Sequence, residues 1–170
     1  MPNYVRSYQK GGTFFFTLVT HNRQNILTTP PVRKALRESI IQIRNEMPFN
    51  IIAWCLLPDH LHAIWALPEK DDDYSKRWGR IKAMTTMRLK KEHVITNQQS
   101  IWQPRFWEHQ IRNDSDLNTH IDYVHINPVK HNLVNTPRDW PYSTFHKFLH
   151  TGSYDSNWGE NLTFNGEFGE

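Results

Sequence analysis

Two groups of residues in this 170-residue sequence have the types and spacing that metal and nucleophilic chemistry require. The first is His60-Leu61-His62. On a strand, side chains at i and i+2 point to the same face, so both imidazoles project side by side while Leu61 packs behind them. Paired histidines on a rigid strand can chelate one divalent ion. The second group is Tyr123 with Asn127, which share one face of a helix at i and i+4, with His120 one turn earlier. A phenol with a pKa near 10 is a poor nucleophile unaided. A metal that polarises a phosphodiester lowers the barrier at the electrophile instead. Asn127 offers an amide oxygen that could complete a metal shell. Taken alone, each group also fits a structural role. Two of ten histidines can fall at i and i+2 by chance, Tyr123 suits an amphipathic core position, and Asn127 suits a cap before Pro128.

The elements that must position these residues are legible in the pattern of apolar residues and breakers. Thr13-Phe14-Phe15-Phe16-Thr17-Leu18-Val19-Thr20 follows Gly11-Gly12 and reads as a strand. Pro30-Pro31 opens a helix with Val32, Leu36, Ile40, Ile43 and Met47 at helical spacing, and Pro48 ends it. Residues 50–57 form a second strand, Pro58-Asp59 a tight turn, and His60 to Leu67 a third strand. The turn sets the histidine pair at a strand start. Asp71-Asp72-Asp73 precedes a helix that runs to about His93, with Trp78, Ile81, Met84 and Met87 as its apolar stripe. A polar loop follows, then a fourth strand from Arg105 to Ile111. Asp114 or Ser115 caps a helix reaching Ile126, which Pro128 interrupts. The order β-α-β-β-α-β plus a further helix predicts an α+β fold: a ferredoxin-like antiparallel sheet with an additional C-terminal helix carrying the tyrosine. Residues 1–150 read as one domain. Residues 151–170 hold four acids, no base and four of the seven glycines, and read as a flexible acidic tail.

Composition bounds the possibilities less tightly. Charged residues make up 22% and apolar residues 38%, which fits a globular domain with its own core. The apolar runs near 51–57 and 63–67 are too short to span a bilayer, and the N-terminal residues carry no apolar signal core, so a cytoplasmic location without membrane contact is expected. A single cysteine, Cys55, excludes an internal disulfide and reads as a buried small hydrophobe. Net charge is only +3, but Lys76, Arg77, Arg80, Lys82, Arg88, Lys90 and Lys91 crowd the 74–91 segment without an acid among them. Such a segment fits either a polyanion-binding surface or a solvated helix face.

Together these residues resemble a known family. Leu57-Pro58-Asp59-His60-Leu61-His62-Ala63-Ile64 resembles the His-hydrophobe-His strand of the single-tyrosine HUH transposases. Arg105-Phe106-Trp107-Glu108-His109 with Tyr123-Val124-His125-Ile126-Asn127-Pro128-Val129-Lys130 looks like the nucleophile helix of one branch, the REP-associated tyrosine transposases, which act at repetitive extragenic palindromes. Trp140-Pro141-Tyr142-Ser143, and Thr13 to Thr17 with Arg23, resemble further blocks. The resemblance runs from about Tyr4 to Leu149 and leaves the acidic tail without a role. Leu57 stands where the family often has Met, and Asn132 where Gly commonly follows the histidine, as the usual substitute at a left-handed helix end.

The resemblance implies single-stranded DNA cleavage and strand transfer beside a hairpin. Tyr123 would be the nucleophile, forming a 5′-phosphotyrosine linkage that keeps the bond energy for rejoining. His60 and His62 would hold Mg²⁺ or Mn²⁺, with Asn127 as a further ligand or substrate contact. Arg77, Arg80, Lys82 and Arg88 are the expected phosphate grips of the basic helix. Arg6 and Lys10 lie in an N-terminal segment suited to sequence reading, and Trp78 and Trp102 could stack bases. A monomer is expected, with a dimer as the alternative. Two rival readings use fewer of these residues. A metal-dependent nuclease acting through water needs the histidines but not Tyr123, and a non-catalytic hairpin-binding protein needs only the basic helix.

Overall fold

A computed structural model of the chain describes residues 11–160, 162 and 168–170. Its elements are strand β1 (Thr13–Val19), helix α1 (Pro30–Glu46), strands β2 (Asn50–Leu56) and β3 (His60–Ala66), helix α2 (Tyr74–Lys91), strand β4 (Trp107–Gln110) and helices α3 (Asp114–Lys130) and α4 (Phe145–His150). The strands form one sheet in the order β2-β3-β1-β4 with every neighbouring pair antiparallel. This is the expected ferredoxin-like arrangement. Its register sets Thr17 of β1 opposite His62 of β3, and His62 opposite Cys55 of β2.

Alternation along the strands divides the core in two. Phe14, Phe16 and Leu18 of β1 and Leu61, Ala63 and Trp65 of β3 face α1 and α2, burying Leu36, Ile40, Ile43, Trp78 and Ile81. Trp65 and Trp78 stack there with centroids 4.0 Å apart. Phe15, Cys55 and Ile64 face the other way, against Ile121, Tyr123 and Val124 of α3. The histidine pair belongs to this second face. Helices α1 and α2 therefore brace the sheet from behind, and α3 crosses the face that carries the chemistry.

Helix α3 differs from its sequence expectation at both ends. Its cap is Asn113, whose side chain accepts from the Asp116 amide, rather than Asp114 or Ser115. Nor does Pro128 end it. The helix runs on to Lys130 and closes with Asn132 in the left-handed region at φ 56°. Leu133 N–H donates to the Pro128 carbonyl at 2.9 Å and Asn132 N–H to the Val129 carbonyl at 2.9 Å, the paired bonds of a Schellman closure. A proline removes one amide donor, but the last turn is still closed by the bonds that follow it.

Beyond α3 the chain returns to the free edge of β2. Leu56 N–H donates to the Tyr142 carbonyl and Thr144 N–H to the Trp54 carbonyl, which covers that edge. The segment expected to be a loose tail makes defined contacts where it is described. Tyr154 and Trp158 pack on each other at 4.2 Å and on Phe145, and the Tyr154 hydroxyl donates to Asp122 at 2.9 Å. Gly159, at φ 86°, lies so close to Pro137 that a Cβ would fall 2.5 Å from its ring. No helix among the described residues is long and apolar enough to cross a membrane.

Candidate active site

The histidine pair occupies the first and third positions of β3, immediately after the Pro58-Asp59 turn. Both rings are buried, with centroids 5.0 Å apart. Each is oriented through Nδ1. His60 Nδ1 lies 2.6 Å from Asp59 Oδ1, and Arg23 holds the other oxygen of that carboxylate at 3.0 Å. Burial opposes ionisation of Asp59, but the His60 and Arg23 contacts outweigh it and hold its pKa down at about 2. An ionised Asp59 fixes the His60 proton on Nδ1 and turns the Nε2 lone pair outward. His62 Nδ1 lies 2.9 Å from Thr17 Oγ1, which also reaches the Phe168 carbonyl at 2.8 Å. His62 Nε2 donates to the Glu170 carboxylate, 3.2 Å away, while that group is in place, and becomes the lone-pair atom a metal needs when the proton sits on Nδ1 instead. Burial lowers its pKa to about 4, so the ring is neutral near neutrality, the form a metal ligand must take.

Helix α3 brings the second group over the first. Tyr123 is buried, its ring 5.2 Å from His62 and 6.1 Å from Phe15. Asn127 is not a cap. It sits inside the helix and is fully buried, with Nδ2 donating to the Tyr123 carbonyl and to Glu170 at 3.3 Å each. Two lone-pair atoms face this space without a hydrogen-bond partner among the described residues: His60 Nε2 and Asn127 Oδ1. Buried acceptors left in this way signal a missing cation or donor. The residues therefore fit a divalent ion held by His60, His62 and Asn127.

Three residues that sequence reasoning passed over complete the site. Lys130 Nζ donates to the Tyr123 hydroxyl at 3.0 Å and lies 4.9 Å from the centre of its ring. His131 packs against His60 with centroids 4.9 Å apart. Glu170, from the described end of the tail, puts its carboxylate into the centre. Oε1 contacts the Tyr123 hydroxyl and lies 3.2 Å from His62 Nε2, while Oε2 lies 3.0 Å from Lys130 and 3.1 Å from His131. Burial would raise the Glu170 pKa, but the contacts to His131, His62 and Tyr123 outweigh it and hold the carboxyl ionised far below its usual range. The same proximity works against Tyr123. Burial first, and then the Glu170 contact and charge, push the phenol well above its ordinary value. His60, His131 and Glu170 form a group with metal-ligating atoms within 4.8 Å of one another. Lys130 was findable: it lies seven residues after Tyr123 and three after Asn127, on the same helix face. Nothing local marks Glu170, which reaches the site only through the tertiary fold.

The predicted DNA contacts fare differently. Arg6 and Lys10 lie outside the described residues. Arg77 is 1% exposed, with its guanidinium bonded to Asp71 and to the Met47 and Pro48 carbonyls, so it ties α2 to the end of α1 and does not reach the surface. Arg80 pairs with Glu46, and Arg88 with Glu38 at 3.0 Å, bridging α2 to α1. Lys82 donates to the Gln103 carbonyl at 2.7 Å and lines a groove with Lys90, Lys91 and Trp102. Trp78 and Trp102 are buried in the core rather than presented to bases. The basic helix thus lies across the sheet from the histidines, not beside them.

A ferredoxin-like sheet with paired histidines under a helix-borne tyrosine is the architecture of a single-tyrosine transposase, a metal-dependent enzyme class. The chain belongs to the IS200-like transposase family, whose sequence profile matches residues 10–127, and within it to the REP-associated tyrosine transposases. It is 47% identical over 163 residues to the REP-associated tyrosine transposase of Escherichia coli K12, covering 96% of this chain and 94% of that protein. It is 42% identical over 168 residues to a putative REP-associated tyrosine transposase of Haemophilus influenzae, covering 95% of each. The solved structure of a REP-associated tyrosine transposase bound to a REP hairpin superposes with a TM-score of 0.85 at 45% identity, covering 100% of this chain and 98% of that one. A putative transposase from Deinococcus radiodurans, at 14% identity and a TM-score of 0.50 over 76% of this chain and 96% of that one, shares the fold.

Proposed function

We propose that this protein cleaves and rejoins single-stranded DNA beside palindromic hairpin repeats, with Tyr123 as the nucleophile. The observation that carries this reading is convergence on one atom. Glu170 Oε1 touches the Tyr123 hydroxyl, His62 Nε2 and Asn127 Nδ2, side chains from a strand and a helix far apart in sequence. A carboxylate oxygen in that position stands where a non-bridging oxygen of the scissile phosphate would lie. A REP-hairpin-bound structure of a 45% identical relative supports hairpin DNA as the partner.

For the reaction, the carboxylate must give way to the phosphate. Tyr123 gives up its phenol proton to solvent and attacks phosphorus, the P–O bond to the 3′ oxygen breaks, that oxygen takes a proton from solvent, and the products are a 5′-phosphotyrosine and a free 3′-hydroxyl. Reversal with another 3′-hydroxyl rejoins the strand without an external energy source. His60, His62 and Asn127 would hold a divalent ion, Mg²⁺ or Mn²⁺, which would supply Lewis-acid polarisation of the phosphate. Lys130 stabilises negative charge on the phenol oxygen as its proton leaves, and Asp59 and Thr17 hold the histidine rings in place. Lys82 remains a proposed phosphate contact at the rear of the sheet, in the groove that Lys90 and Lys91 also line, and Arg80 and Arg88 are proposed to contact phosphate on exchange from their Glu46 and Glu38 pairs. Arg6 and Lys10 are proposed to read the sequence at the hairpin foot. One chain supplies every proposed catalytic group, which supports a monomer, and a chromosomal substrate supports action in the cytoplasm.

The deciding experiment uses a labelled hairpin with single-stranded flanks, Mg²⁺ or Mn²⁺, and a denaturing gel. A covalent protein–DNA band is expected from the native chain and none from Tyr123→Phe. Cleavage that persists in Tyr123→Phe would mean attack by water and would overturn the assignment.

A further inference from the structure

Arg23 stands at the edge of the site, on a strained segment that its structural contacts alone do not explain. Strand β1 ends at Val19, which pairs with His60 in the register of β1 and β3. The chain then passes through one 3-10 turn, His21–Arg23. Asn22 and Arg23 both adopt left-handed backbone, at φ 53° and φ 50°. Residues with a Cβ enter that region rarely, and two in succession persist only where their surroundings impose it.

Those surroundings tie the segment to the turn before the histidines. Thr20 is buried, and its amide donates to the Asp59 carbonyl at 2.8 Å. Its hydroxyl lies 2.9 Å from that same carbonyl and 2.9 Å from the Gln24 carbonyl. His21 N–H donates to the Ile101 carbonyl at 2.7 Å. The turn that carries Arg23 and the turn that carries Asp59 are therefore one rigid unit. Within it the guanidinium is used on one side only. Nη1 donates to Asp59 Oδ2 at 3.0 Å, and Asp59 Oδ1 holds His60 Nδ1. The other guanidinium nitrogens meet no partner among the described residues, and the side chain is 46% exposed. An ion pair this exposed adds little to stability, so it does not account for two strained residues by itself. A planar fork with donors to spare, fixed at the mouth of a site for a phosphodiester, is suited to phosphate.

We infer that Arg23 grips a backbone phosphate of the substrate strand with its open edge while its other edge, through Asp59, sets His60 for the metal. The inference rests on the proposed cleavage reaction and adds a positioning residue to it. A bound phosphate fixes the guanidinium from the solvent side, which fixes Asp59 and with it the direction of His60 Nε2. Strand binding and metal binding then favour each other, and such coupling is reciprocal. The strained backbone keeps the fork in place before the strand arrives.

The test has two arms. In the first, each phosphate of the single-stranded flank beside the hairpin is replaced singly by a neutral methylphosphonate, and binding to Tyr123→Phe is measured without metal. The scan is repeated with Arg23→Gln added. One position is expected to lose about tenfold in affinity when Arg23 is present and nothing when it is Gln, the scale of one charge-assisted hydrogen bond. Each profile is read relative to the unmodified strand, so any general weakening by Arg23→Gln cancels. In the second arm, Mn²⁺ affinity of the DNA-free chain is read from the paramagnetic resonance of the free ion. Arg23→Gln is expected to weaken it about tenfold, as loss of a group behind a ligand does. Identical phosphate profiles in the two proteins, or an unchanged Mn²⁺ affinity, overturn the inference. Absence of an adduct from unmodified DNA with the native chain strikes the cleavage reading instead, and the phosphate scan, which needs no chemistry, then decides the role of Arg23 by itself.

Discussion

Lys130 shows what one side chain adds to a tyrosine that is otherwise badly placed for attack. A buried phenol resists ionisation, and a carboxylate beside it makes matters worse. The ammonium group 3.0 Å from the phenol oxygen opposes both effects and persists when the carboxylate is displaced. Lys130→Met keeps the stem and removes the charge. Adduct formation is expected to fall by about a hundredfold, the loss seen when a donor to developing negative charge is removed. The remaining activity should move to higher pH while the melting temperature stays unchanged, so a pH–rate profile beside a thermal melt separates the charge from a packing role. An unshifted profile would assign Lys130 to packing. At this scale the sequence was informative for His60, His62, Tyr123 and Asn127 because strand and helix periods put each pair on one face. Lys130 follows from the same helix arithmetic. Glu170 and Thr17 do not, because a contact across 108 residues or across paired strands has no local period.

Among the elements, α3 carries the most, since it presents Tyr123, Asn127 and Lys130 and is itself pinned at the back by His125. That ring lies 3.0 Å from the Tyr154 hydroxyl and 2.8 Å from Thr144 Oγ1. Tyr154 gives its own hydrogen to Asp122, so His125 donates to it from Nδ1 and accepts from Thr144 at Nε2. Burial, with the nearby His146, lowers the His125 pKa from 6.5 to about 3. On acidification the unfolded chain takes up a proton near pH 6.5, whereas the folded chain does so only near pH 3. The unfolded state binds more protons in that window, so stability falls as pH falls, by at most about 1.4 kcal/mol per pH unit from this group. His125→Gln is expected to flatten the slope of unfolding free energy against pH between those values, measured by urea denaturation. An unchanged slope would place the acid sensitivity elsewhere. The order of elements was readable from breakers and apolar spacing, but the ends of α3 were not. Asn113 competes with Asp114 and Ser115 as a cap, and only the backbone turn selects it. Pro128 reads as a stop, yet the Schellman closure at Asn132 lets the helix continue. Those extra residues are the ones that hold Lys130 over Tyr123.

For the molecule as a whole, the sheet sorts the chain into a chemical front and a charged back. Charge along the sequence pointed to α2 as a DNA surface, but it could not show which face of the sheet α2 covers or which of its cations already have partners. Arg77 is buried in an ion pair, and Arg80 and Arg88 are paired across to α1. Such assignments depend on what α1 presents at the contact, which no window along α2 contains. If the proposed site of His60, His62, Tyr123 and Asn127 is built within one polypeptide, a chain that has lost any of them is expected not to borrow it from a neighbour. Mixing Tyr123→Phe protein with His60→Ala protein should yield no adduct, and the native rate should rise in direct proportion to protein concentration. Restored activity in the mixture would mean that sites are shared between chains. Without sharing, an inactive copy of this gene neither rescues a second copy nor poisons it through mixed assemblies, and each copy is selected on its own chemistry alone.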